Sequence, residues 1–282
     1  MLRRVLLGAA SVVVVAAAVA AYAIKGKVSP TPPPMPIVTI TAADYVFTAP
    51  DTIPAGVVKI RLVNQGPSLH HVQFVQLGEG KTMDSLRAAL MRQGPPPSWM
   101  REVPGPNPPA PGASAELVTT LAPGNYAIVC FVPDDHGVPH FAKGMARPVV
   151  VAPRAYAAAA AEPTADVQVD LTDYSFTLSK DITAGMHTLK LVNGGPQPHE
   201  MLIARLDSGA TAQQLVQYVL TGMHGRPPAT PLGGASGMMP GDHAYFSMNF
   251  APGDYALICF LPDAKDGKEH ATHGMVKQIH VS

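Results

Sequence analysis

The chain has 282 residues, with 20 basic and 20 acidic side chains and a formal net charge of zero. Apolar residues make up 47% of it and charged ones only 14%, which excludes a disordered polyelectrolyte and leaves no basic field to attract nucleic acid. The length admits two domains of ordinary size, and the 30 prolines and 25 glycines favour short strands joined by many turns.

Residues 1–27 read as a targeting segment. Arg3-Arg4 is followed by an unbroken apolar run over residues 5–24, and then by Lys25 and Lys27. The run is long enough to span a bilayer, and Ala21-Tyr22-Ala23 offers a small-x-small cleavage site. Two readings stay open: a cleaved signal peptide, or an uncleaved anchor that is the chain's only membrane contact. Either one places the folded part outside the cytoplasm, in the periplasm, at the cell surface or secreted. Residues 28–36, VSPTPPPMP, read as an extended proline-rich spacer.

Beyond the spacer one domain is written twice, over residues 37–151 and 167–282, divided by an Ala/Pro linker at 152–166. ADYVF at Ala43 matches TDYSF at Thr172, LVNQGPSLHH at Leu62 matches LVNGGPQPHE at Leu191, and LAPGNYAIVCFVPD at Leu121 matches FAPGDYALICFLPD at Phe250. The offset between matched residues is 129 throughout, which means duplication. Alternating patterns predict strands over residues 58–63 and 187–192, then 72–77 and 201–206, then from Tyr126 and Tyr255, and finally over 147–151 and 277–281. One helix is expected in each copy, from Thr82 and from Thr211, where Thr211-x-x-Gln214 has the form of a capping box. Long Pro/Gly loops are expected over residues 94–112 and 225–241.

Each copy retains two histidines, a cysteine and a methionine: His70, Cys130, His140 and Met145, then His199, Cys259, His270 and Met275. A thiolate, two imidazoles and a weak thioether form the ligand set of a blue copper site. The layout N-x5-H, Y-x3-C, H-x4-M resembles the cupredoxin superfamily of plastocyanin- and azurin-like domains. The resemblance implies an all-β chain: two tandem cupredoxin-like Greek-key β-sandwiches, each with one short helix insertion, after the N-terminal signal or anchor helix. It also implies copper as cofactor, held by those eight residues, for electron transfer or copper handling. Electron transfer would call for a redox partner protein, which the sequence does not identify. The alternative is a metal-free cupredoxin-like recognition module.

One departure stands out. Nine residues separate Cys130 from His140 and ten separate Cys259 from His270, more than in small cupredoxins. The extra residues either bulge outward as a hairpin, or displace the histidine and leave His136 as a substitute in the first copy. His71, whose counterpart is Glu200, is expected to face solvent. His273 is either a surface residue or an alternative donor, and Met223, His224, Met238, Met239 and His243 either form a Cu(I)-attracting cluster or, as expected, cover the domain as loop residues. A disulfide between Cys130 and Cys259 would need equivalent positions of two domains to meet, and is not expected. No His flanks either cysteine and no His-x-His occurs, so the ligands of a second catalytic copper are missing and the chain is expected not to be an enzyme.

Overall fold

The computed structural model describes residues 33–92, 94–154 and 160–282. The targeting segment at 1–27 lies outside them. Among the described residues no helix is long and apolar enough to cross a membrane.

The first copy runs β1 (Ile37–Ala43), β2 (Val46–Thr48), β3 (Thr52–Pro54), β4 (Gly56–Asn64), β5 (Gln73–Leu77), a helix (Met83–Leu90), β6 (Met100–Pro104), β7 (Ser114–Leu121), β8 (Gly124–Val129) and β9 (Ala146–Ala152). The second runs β10 (Val167–Thr172), β11 (Ser175–Leu178), β12 (Gly185–Asn193), β13 (His199–Leu206), a helix (Ala212–Leu220), β14 (Ala229–Met238), β15 (His243–Phe250), β16 (Gly253–Ile258) and β17 (Val276–Val281). Each copy is a two-layer sandwich. Strand β4 alternates buried and exposed positions, with Val58, Ile60 and Leu62 fully covered, as a strand with one wet face must. β1 lies parallel to β4, and β10 parallel to β12. The hydroxyls of Tyr126 and Tyr255 donate to the carbonyls of Ala122 and Ala251, four residues back, and lock the turn before each cysteine strand. In the second helix the Thr211 hydroxyl accepts from the Gln214 N–H while the Gln214 side chain accepts from the Thr211 N–H, which completes the capping box.

The two long loops are not loops throughout. Residues 94–112 contain β6, which pairs with β5, and residues 225–241 contain the ten-residue β14, which pairs with β13. Gly105 and Gly234 are equivalent, and they let these strands close in: a Cβ would lie 2.3 Å from the Val72 carbonyl oxygen at one and 1.9 Å from that of Met201 at the other. Because the pairing partners are distant in sequence and the segments are glycine- and proline-rich, local patterning carries no strand signal.

The copies join along both layers. β7 meets β15 at Val118–Tyr245, so the first layers fuse into one sheet of order β11-β10-β12-β15-β7-β4-β1-β2. In the second layers Pro106 bridges Ala235 and Pro109 bridges Leu232. Pro106 and Ala235 stand one repeat offset apart, so equivalent residues face each other and an approximate twofold axis relates the copies. Leu117, a first-copy residue beside this junction, is buried in the second copy's core.

Candidate metal centres

The two sites are built alike. Asn64 closes β4 and organises the following loop: its Nδ2 donates to the Ser68 carbonyl at 2.9 Å, and its Oδ1 accepts the Gly66 N–H at 3.1 Å. Asn193 does the same for Gln197 and Gly195. That loop delivers His70 and His199, both fully buried, into the gap between layers. Cys130 and Cys259 follow directly after β8 and β16, also fully buried.

The long insertion after each cysteine is pinched off. Pro133 bridges Pro139, and Pro262 bridges Glu269. Inside the first of these the Asp134 carboxylate accepts the N–H groups of His136 and Val138, and pairs with Lys143. The insertion therefore projects as a closed loop. The chain returns to place His140 and His270 at the start of a 3₁₀ turn beside the cysteine. The difference of one residue between copies falls within the closed loop, between the two bridged residues, and leaves the spacing to the cysteine and to the histidine unchanged. His136 is exposed on that loop and takes no part in the site.

In the first copy His70 Nδ1 lies 3.1 Å from His140 Nδ1, and Cys130 Sγ lies 3.5 Å from His140 Nδ1. In the second, His199 Nδ1 lies 3.1 Å from His270 Nδ1 and Cys259 Sγ lies 3.3 Å from it. All three donor atoms of each copy lie within 4.8 Å of one another. Met145 and Met275 are fully buried among the same apolar residues as their cysteine, and each carbonyl accepts the cysteine's N–H.

The donors have the form of ligands. His70 Nε2 sits 2.7 Å from Asp44 Oδ1, and His199 Nε2 sits 2.7 Å from Asp173 Oδ1. The carboxylate accepts a hydrogen bond from Nε2–H, so the lone pair of Nδ1 faces the gap. Gly66 and Gly195 make room for this contact, since a Cβ would lie 2.9 Å from His70 Nε2 and 2.5 Å from His199 Nε2. Opposite, Nε2 of both His140 and His270 is buried without a hydrogen-bond partner. Two imidazole lone pairs 3.1 Å apart repel unless one Nδ1 carries a proton, whereas a cation about 2 Å from each would satisfy both. The chemistry and spacing of these donors fit a copper ion.

Electrostatics agree. Burial, followed by the charge on the neighbouring histidine, pushes His140 and His270 down to about 4. Burial lowers His70 and His199 against the opposing pull of their carboxylates. Burial pushes the Cys130 thiol up to about 12 and Cys259 higher still, so the thiolates form only against a cation. The N–H groups of His71 and Val132 face the first sulfur, and those of Glu200 and Leu261 the second.

Other sequence expectations change. His71 does not face solvent. It is buried, and its Nε2 accepts the Phe131 N–H at 2.9 Å. Glu200 does the same work, accepting the Phe260 N–H at 3.0 Å. Met238 lies in the second core, and His243 binds Glu162 of the linker at 2.7 Å. His273 lies outside the second donor set, grouped with Asp263 and Asp266. Both cysteines are free thiols. The sequence reading missed Asp44 and Asp173, although the repeat marked them: they stand 129 apart within ADYVF and TDYSF.

No family model matches the chain, and no curated protein matches it. Solved structures do. Auracyanin A of Chloroflexus aurantiacus, a "blue" copper protein, is 24% identical over 41% of this chain and 99% of its own, with a TM-score of 0.29. A multicopper oxidase is 14% identical over 89% of this chain and 92% of its own, with a TM-score of 0.27. The copper nitrite reductase of Nitrosomonas europaea is 14% identical over 88% and 94%, with a TM-score of 0.25. The fold is all-β, two tandem two-layer sandwiches with one short helix each, and blue copper proteins are among the structures it resembles. The expectation that the chain is not an enzyme is corrected by the same finding. The solved structures that the chain matches include enzymes, among them a multicopper oxidase and a copper nitrite reductase.

Proposed function

We propose that this is an exported copper protein with two type 1-like centres, serving electron transfer or copper handling in the cell envelope. The observation that supports it is the convergence, in both copies, of one cysteine sulfur and two imidazole nitrogens in a fully buried gap. When bound, copper supplies a one-electron couple. Cys130, His70 and His140 would hold it in the first copy, and Cys259, His199 and His270 in the second, with Met145 and Met275 as the weak fourth donors.

The protein's own atoms do the rest. Asp44 and Asp173 fix the tautomer and orientation of one imidazole in each site. The backbone N–H groups facing each sulfur support a thiolate. Full burial keeps water away, and donors drawn from separate strands and turns of a sandwich resist rearrangement when the ion's charge changes. Export follows from the apolar N-terminal run, and a redox partner protein follows from the electron-transfer role. The test is to add Cu(II) to the protein and record visible absorption and EPR. A strong thiolate-to-copper band that halves in Cys130→Ser and in Cys259→Ser, and disappears in the double variant, is the expected result. A colourless protein that retains no copper in either oxidation state would overturn the reading.

A further inference from the structure

Neither donor set uses three buried polar side chains that lie between the two cysteine-bearing strands: His71, Asn107 and Glu200. They form a line. Phe131, which follows Cys130, donates its N–H to His71 Nε2 at 2.9 Å. The side chain of Asn107 lies against His71 and favours its charged form. Across the domain boundary Asn107 Nδ2 donates to Glu200 Oε2 at 3.2 Å and to the Ala235 carbonyl at 2.9 Å. Glu200 Oε1 accepts the N–H of Phe260, which follows Cys259, and the Glu200 backbone N–H reaches Cys259 Sγ at 3.4 Å.

The line breaks the twofold relation. The counterpart of Asn107 is Ser236, whose hydroxyl accepts the Gly105 N–H and donates to the Val72 carbonyl, both at 2.9 Å. Serine closes the boundary by backbone contacts alone. Asparagine instead joins one copy's side chain to the other's, at the cost of burying three polar groups where apolar packing would hold the domains together equally well. We propose that the His71–Asn107–Glu200 bridge is the route by which the two centres exchange an electron. This rests on the copper reading above. In each exchange one electron passes. The donor centre goes from Cu(I) to Cu(II), the acceptor goes from Cu(II) to Cu(I), and no bond or proton is transferred.

The test starts from the copper-loaded protein, with the two centres' spectra assigned through Cys130→Ser and Cys259→Ser. A light-driven one-electron reductant is pulsed in at less than one equivalent, and redistribution between the centres is followed. A concentration-independent exchange phase is expected, lost in Asn107→Leu while both reduction potentials hold. Asn107→Ser, which installs the second repeat's own residue, gives the same loss and serves if the leucine variant does not fold. In the copper-free protein, the Phe131 and Phe260 amide hydrogens are expected to exchange slowly with solvent, and faster in either variant. An undiminished exchange phase in both Asn107 variants overturns the bridge. So does equal slowing in Arg101→Ala, which removes only the Arg101–Asp242 ion pair, 2.5 Å long, at the surface of the same boundary. Absence of thiolate bands would instead sink the copper reading.

Discussion

The two copies agree at the donor atoms and differ immediately behind them. Both bring two imidazole nitrogens to 3.1 Å and a sulfur close by, and both back one histidine with an aspartate. The peptide after the cysteine, however, is held by a neutral imidazole in the first copy and by a carboxyl group in the second. Burial drives those two groups in opposite directions, His71 down to about 4 and Glu200 up to about 7. The duplication has therefore kept what a metal ion requires and varied what surrounds it. Two centres with the same ligands can then differ in charge and surroundings.

The largest effect should come from the residue that both copies share. Leu117 belongs to the first copy's β7 yet fills the second copy's core, so Leu117→Ala is expected to cost about 2–5 kcal/mol. Trp99, the chain's single tryptophan, reports on the first copy, and the Cys259 thiolate band of the loaded Cys130→Ser background reports on the second. In a denaturant titration both probes should move together. Separate midpoints would mean that the copies unfold independently despite their fused sheet.

Next come the carboxylates behind the ligands. Asp44→Asn and Asp173→Asn should each weaken copper binding about 10–100-fold in their own copy and leave the other unchanged, as read by chelator competition. Equal weakening in both copies would show that the sites are not independent.

A third difference is the response to pH in the copper-free protein. His71 resists protonation in the folded state, so its contribution is whole above about pH 6.5 and is lost as pH falls toward 4. Glu200 resists ionisation, so its contribution is whole below about pH 4.5 and is lost as pH rises through 7. His71→Gln should reduce the acid limb of the stability profile, and Glu200→Gln should flatten the limb between 4.5 and 7, measured from urea midpoints. Effects of the same sign in the two variants would overturn this contrast. The smallest effect is at the helix starts. Thr211→Ala and Thr82→Ala each remove one hydroxyl that accepts a first-turn N–H, so each should cost about 0.5–2 kcal/mol of stability in the urea titration.

What could be read from the chain alone depended on whether the information was local or repeated. The donor residues stood out because both copies carry them in the same order, and the helices because their apolar stripes and caps are local signals. β6 and β14 did not, since they exist as strands only through partners far away in sequence. His71 was misjudged because a His/Glu exchange between copies resembles a tolerant surface position. Its partner, the Phe131 N–H, is 60 residues distant, and no local pattern marks a side chain that serves a remote peptide group. Asp44 was visible in the repeat but carried no spacing that ties it to His70, 26 residues on.

The fused first layer has one more consequence. Its outermost strands, β2 and β11, are three and four residues long, while β7 and β15, eight residues each, lie inside it against each other. Cut apart at the linker, each copy would present one of those longer strands as a bare border of unpaired peptide groups, the feature that recruits other chains into disordered growth. Keeping the copies in one polypeptide therefore protects solubility, and a half of this molecule prepared alone should self-associate through the border that its twin now covers.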